Sequence, residues 1–449
     1  MCEKQEKAVA LGRIGNWYFG WTIVAAAATL TLLTVGLRMG IGPFFLPIAH
    51  DLGFSRSLLA GIIAIGMLFY GIGMPIAGHL VSTRGTRFVL LLGTALVAVA
   101  IAGTVMATGP ISFLLAFGVL LSLGLSFISP VTMTPVLSRW FVRRRGMALF
   151  FLSTGSMAGI AILTPVLGLS IEWLGWRETL LSFAVLLAVI TVPIALFIIR
   201  EDAPPDADAG PATPGAPSAA ATADSSALAA ANCASPAPGR AAMRPSPAVD
   251  LKVRDALRTV QFWKIAFGLF ACGYSMNLLG THGVPMLMDH GFDAMTGSFG
   301  IGLIGFAAIF STLVLGRLSD MVPRRNILSA IYLIRGLGFF ALVMVGTQWE
   351  LYAAATIGGI VWAGSIALSS AILADLYGVR LVGILYGWTY LGHQVGGMIS
   401  SWLGGWGYET FGTHWIAFGS AGALLLAASI VSMSLPASRQ AFVVPVAAR

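Results

Sequence analysis

Long apolar runs recur along the chain, separated by short polar breaks, and they predict its elements. A hydrocarbon core about 30 Å thick takes roughly 20 residues of helix to cross. Runs of that kind fall at 20–47, 58–80, 88–108, 111–135, 147–171 and 177–199. Six more fall at 264–288, 297–319, 326–346, 351–373, 382–405 and 414–435. They are numbered spans 1 to 12 in chain order. Only Gly109 and Pro110 separate spans 3 and 4. None of the runs has the fully polar face of a helix in a water-soluble bundle. The expected fold class is an all-α membrane protein with twelve transmembrane helices.

Between spans 6 and 7 the pattern changes. Residues 201–250 are rich in Ala, Pro and Ser and nearly free of large apolar side chains. Such a stretch buries too little surface to offset its ordering entropy, so a disordered linker is expected. The predicted layout is a tail at 1–19, a six-helix bundle at 20–199, a linker at 200–260, a second six-helix bundle at 261–435 and a tail at 436–449.

Composition and charge sharpen this reading. The chain is 57% hydrophobic and 10% charged, against roughly 25% charged in soluble domains. No small-residue cleavage site follows the first run, which reads as a permanent span. With the N-terminus inside, 22 of the 26 Lys and Arg lie in cytoplasmic segments, Arg56 and Arg177 lie outside, and Arg38 and Arg335 lie within spans. That bias predicts that both termini face the cytoplasm. It also accounts for the net charge of +8 without a nucleic-acid partner. Cys2, Cys233 and Cys272 have no metal-ligand spacing, and no nucleotide loop or nucleophile elbow is present. No metal, no cofactor and no enzymatic activity is expected. The Ala- and Arg-rich composition suggests a bacterial inner membrane.

The two halves repeat each other. An offset of 238 carries Pro47 to Pro285, Asp51 to Asp289, Gly53 to Gly291, Phe54 to Phe292, Gly78 to Gly316, Leu80 to Leu318 and Arg87 to Arg325. An offset of 237 carries Gly146 to Gly383, Gly155 to Gly392, Gly159 to Gly396 and Gly175 to Gly412. Parallel repeats of this kind place a binding site at their interface near the bilayer midplane, and one half rocks against the other.

The loops after spans 2 and 8 read GHLVSTRGTR (Gly78 to Arg87) and GRLSDMVPRR (Gly316 to Arg325). Both resemble the loop signature of the major facilitator superfamily. That resemblance implies two pseudo-symmetric six-helix bundles. It also implies a cytoplasmic latch role for Arg84, Arg87, Asp320, Arg324 and Arg325. Ser82, Thr83 and Pro323 depart from the signature; the first two weaken the latch expected of the first copy. Basic residues in short inside loops also serve topology. Span 1 opens NWYFGWTIV, and span 5 is entered through RWFVRRRGMALFFLSTGSMAG. These are similar to the entry motifs of the monocarboxylate transporter family and its bacterial relatives. Animal members carry an Asp and an Arg in span 8, where this chain has Ala308 and Thr312, so their proton-and-anion pair does not carry over.

An ionisable side chain in a span costs roughly 2.5–3.5 kcal/mol or more, which marks it as a functional candidate. Arg38 leads, beside Gly36, Gly40 and Gly42, because a guanidinium grips a carboxylate with two hydrogen bonds. The competing reading is that it snorkels or pairs internally. Arg335 of span 9 ranks second, with pairing or snorkelling at least equal to a substrate role. His393 and Gln394 of span 11 offer a titrating ring and an amide, against the alternative of a packing histidine. Asn277 and His282 of span 7 add polar groups, and Tyr386 and Tyr390 could wall an organic substrate.

No Asp or Glu lies in the middle of a span. A cationic substrate wants a buried acid, so this pattern favours an anion. Proton carriers narrow to His393, His282 or the substrate's own carboxylate. Thr164–Pro165 in span 5 replaces the Gly-Pro step typical of antiporter signatures, which leans toward uptake. The expected function is a secondary carrier of a small organic anion, a monocarboxylate or an aromatic-derived acid, by proton symport, acting as a monomer. The alternatives are a carrier or exporter of a larger neutral or weakly acidic nutrient, and a non-transporting membrane sensor.

Overall fold

The computed structural model describes residues 13–14, 17–141, 145–201, 253–362, 364–377 and 379–436. Twelve spans are present among the described residues. The N-terminal six are Gly20–Met39 with Gly42–Leu52, Arg56–Arg84, Thr86–Met106, the segmented run from Pro110 to Trp140, Arg145–Leu174, and Trp176–Pro193 with Ile194–Ile198. The C-terminal six are Val260–Asp289, Ala294–Met321, Arg324–Val343, Gln348–Ile360 with Gly364–Tyr377, Val379–Phe411, and Trp415–Met433. A two-residue antiparallel strand pair, Arg13–Ile14 with Trp17–Tyr18, precedes span 1. Most of the expected linker lies outside the described residues. Its described C-terminal edge is helical at Val253–Leu257.

Helix ends follow local chemistry. Ser55, Thr259, Asp293 and Thr347 cap spans 2, 7, 8 and 10 by accepting backbone N–H bonds, as small polar side chains do at N-caps. Hydrogen bonds from Thr296 hold the exposed Asp293 carboxyl below its ordinary value. Gly109 is extended and breaks span 3 from span 4 at the expected place.

Ten of the spans are long and apolar enough to cross a membrane by length and composition. Spans 7 and 11 fall short for a physical reason. They carry Asn277, Thr281 and His282, and Thr389, His393, Gln394, Ser400 and Ser401, all buried. Such polar helices need protein around them, and both sit where the halves meet.

Each half has an apolar core, and Met39, Met157 and Ile160 of the N-terminal half join that of the C-terminal half. The halves meet where span 2 runs along span 11 and span 5 along span 8, with the second segment of span 1 against span 7. Glycines set these distances. A Cβ on Gly305 would lie 2.5 Å from the Ala161 backbone N, and one on Gly405 would lie 2.5 Å from the Arg56 carbonyl. The sequence repeat has a matching geometry. Gly53 and Gly291 have φ of 62° and 90°, and Gly175 and Gly412 have φ of 84° and 67°. Those left-handed turns favour glycine because a Cβ is crowded there.

Candidate functional site

The bundle has two ends. Tyr18, Arg200 and Leu435 mark the near end, and the loops after spans 1, 3, 5, 7, 9 and 11 mark the far end. Span 1 breaks into two helices between Met39 and Gly42, and Arg38 sits in the last turn of the first. A Cβ on Gly40 would lie 2.7 Å from the Gly36 carbonyl, so this tight turn suits a residue without one.

Arg38 reaches across the interface between the halves. One terminal nitrogen donates to Asn277 Oδ1 at 2.8 Å and to Gln394 Oε1 at 2.9 Å. The guanidinium lies over the Tyr70 ring, 4.3 Å from its centroid, and 3.5 Å from Met67 Sδ. Its buried Nε has no partner. Every one of these contacts is with a neutral group. Asn277 is itself held by donating to the Gly273 carbonyl at 2.8 Å, and Gln394 Nε2 is buried without a partner.

His393 adjoins Gln394 on span 11. It is 1% exposed, and both ring nitrogens lack partners. Its ring stacks on Tyr390 at 5.0 Å between centroids and 4° between planes, and Tyr390 contacts Tyr386 at 5.8 Å. Span 7 passes close by; a Cβ on Gly273 would lie 1.9 Å from the His393 carbonyl.

His282 and Arg335 stand apart from this group. His282 Nε2 bonds the Ser401 carbonyl at 2.7 Å, and its ring packs edge-on against Phe45. Arg335 is buried in the C-terminal half. It donates to the Val361 carbonyl at 2.6 Å and also to the Trp362 carbonyl. Those carbonyls are freed where span 10 breaks after Ile360. Arg335 therefore caps the negative end of a helix dipole with a cation.

The basic residues expected at a latch work within halves. Arg87 Nε donates to the Ile199 carbonyl at 2.7 Å, and its repeat mate Arg325 donates to the Leu435 carbonyl at 2.7 Å. Arg324 pairs with Asp375, and Arg84 lies over Phe88. The Asp320 side chain lies outside the described residues.

Among the described residues, the ion pair that joins the halves is at the far end. Arg56 of span 2 bonds Asp289 of span 7 through both carboxylate oxygens, at 2.5 and 2.9 Å. His414 Nε2 meets the same carboxylate at 2.9 Å, and Glu409 accepts from the Ser57 N–H at 2.8 Å.

The family profile of the Major Facilitator Superfamily matches residues 27–349 and 302–447. The chain belongs to the major facilitator superfamily. It is 25% identical over 378 residues to an uncharacterized MFS-type transporter, YcxA, of Bacillus subtilis (strain 168), covering 81% of this chain and 82% of that protein. It is 28% identical over 439 residues to monocarboxylate transporter 11 of Homo sapiens, covering 94% of this chain and 83% of that protein. Among solved structures it resembles a bacterial homolog of the human lysosomal transporter Spinster, in an inward-facing and occupied conformation. The TM-score is 0.66 at 15% identity, over 93% of this chain and 97% of that one.

This major facilitator transporter thus brings together Arg38, Asn277, Gln394, His393, Tyr390 and Tyr386 from spans 1, 7 and 11. Sequence reasoning missed Tyr70 and Met67. The signal was the spacing of Ile63, Gly66, Met67 and Tyr70, which puts them on one face of span 2. It also missed the Arg56–Asp289 pair, although the repeat had matched Asp289 to Asp51. The structure pairs Asp51 with Arg177 at 2.5 Å, and an offset of 237 carries Arg177 to His414.

Proposed function

We propose that this transporter is a secondary carrier of a small organic anion, moved with protons by alternating access. The observation that carries the reading is Arg38, a cation at the interface between the halves held, among the described residues, by neutral acceptors. Its charge stays available to a substrate carboxylate. Both protein acceptors belong to the C-terminal half and Arg38 to the N-terminal half. A carboxylate that displaces Asn277 or Gln394 from Arg38 changes the contact between the halves, which couples binding to rocking. The monocarboxylate relatives support the substrate class, with aromatic-derived acids included because Tyr386 and Tyr390 flank the site. The basic bias of the near-end segments orients that end toward the cytoplasm of a bacterial inner membrane. The ion pair at the far end then bridges the two halves on the outer side.

His393 is assigned the proton relay. Its two unpartnered nitrogens, one residue from Gln394, leave it able to exchange a proton with substrate or water. Uptake of labelled acetate, lactate and benzoate into proteoliposomes, with and without an inward proton gradient, tests the proposal. Gradient-driven uptake that Arg38→Gln reduces at least about tenfold is expected, because removing a charge-assisted pair forfeits about 1.5–3 kcal/mol. Absence of carboxylate uptake by the correctly inserted wild-type protein would sink it.

A further inference from the structure

The geometry points to a tail-selecting pocket in the N-terminal half, between spans 1, 2 and 4, that receives the apolar part of the acid gripped by Arg38. This inference rests on the anion reading above and adds which acids are preferred. A cavity of about 40 Å³ has Arg38 and Tyr70 in its lining. Ile41, Ile63, Met67, Phe117, Leu121 and Leu125 supply most of the remaining wall, and the Ser122 hydroxyl is a further polar group there. Among the described residues no carboxylate lines it, so none compensates a cationic substrate body.

The wall from span 4 has an unusual backbone. Leu114–Leu121 is wound as a π-helix, and Phe117 and Leu121 belong to it. A π-helical turn holds more residues than an α-turn, shifts the side chains it presents, and is often found at functional sites. The neighbouring glycines limit the depth. A Cβ on Gly66 would lie 2.8 Å from Ser122 Oγ and 3.0 Å from the Gly118 carbonyl, so spans 2 and 4 are already in contact. Since about 10–15 Å³ holds one water-sized group, the cavity holds a few carbons. That matches a short alkyl chain or the edge of one ring, with the carboxylate at Arg38 and the tail against Leu121.

The test compares acids of graded length, acetate through octanoate with benzoate, as substrates in proteoliposomes. The variants are Leu121→Ala, which lengthens the pocket, and Leu121→Phe, which shortens it. The ratio of kcat/KM for hexanoate over acetate is expected to rise about tenfold in Leu121→Ala and to fall about tenfold in Leu121→Phe, the usual scale for a methylene or two in an apolar pocket. Ile63→Ala, from the facing wall, repeats the first arm should a Leu121 variant fail to fold. Arg38→Gln runs alongside and should lose every acid regardless of length. An unchanged length order in the Leu121 and Ile63 variants, with Arg38→Gln inactive, overturns the pocket and leaves the anion reading standing. Acid uptake undiminished in Arg38→Gln overturns the anion reading and this inference with it.

Discussion

Two arginines within spans show how one residue type takes two roles. Arg38 donates to the side chains of Asn277 and Gln394, which can be displaced by a competing acceptor. Arg335 donates to the carbonyls of Val361 and Trp362, which belong to a helix end and cannot. A guanidinium bound to neutral side chains can be recruited by a ligand, and one bound to backbone is a fixed part of the fold. Arg335→Gln should therefore lower thermal stability more than Arg38→Gln does. Two buried carbonyls would lose a charged donor, at about 1–3 kcal/mol each. Melting curves of the purified variants check this, and an Arg335→Gln protein as stable as wild type would contradict it. Sequence flagged both residues from the cost of a charge in a span. It ranked Arg38 ahead of Arg335 but could not name what holds Arg335, because the break in span 10 that frees those carbonyls has no Pro beside it.

At the scale of elements, the apolar runs located all twelve spans. The structure extends several of them, span 11 from 382–405 to Val379–Phe411. The extensions are amphiphilic turns such as Trp406 to Phe411, whose polar neighbours end an apolar run before they end a helix. The Gly109 break and the glycine-flanked region of span 1 were legible because Gly and Pro act locally. Contacts between halves were not. They depend on which glycines face each other, as Gly305 faces Ala161 and Gly405 faces Arg56, and a single sequence gives no partner. The Arg56–Asp289 pair between spans 2 and 7 is the clearest case. Arg56→Gln should loosen the far end, raising labelling of a cysteine placed at Ser57 by a membrane-impermeant thiol reagent several-fold. The exchange Arg56→Asp with Asp289→Arg should bring labelling back toward wild type. Equal labelling in all three proteins would show that the pair does not hold the far end closed.

Over the whole molecule, repetition and its departures set the design. Asp51–Arg177 in one half and Asp289–His414 in the other occupy matching positions. Only Asp289 is also bonded to the opposite half, through Arg56. The same asymmetry holds at the centre, where the cation comes from span 1 and its acceptors from spans 7 and 11. The N-terminal half contributes the charge and the apolar pocket, and the C-terminal half contributes neutral acceptors and the unpartnered His393. On the proposed reading, binding an anion at Arg38 and rocking the halves are one event.

The most direct test of that account is equilibrium binding of a carboxylic acid and its neutral amide, benzoate against benzamide, to the purified protein and to Arg38→Gln. The account predicts that wild type binds the acid at least about tenfold more tightly, a difference of about 1.4 kcal/mol, and that Arg38→Gln loses this discrimination. Equal affinity of wild type for acid and amide, or an undiminished preference for the acid in Arg38→Gln, would contradict it.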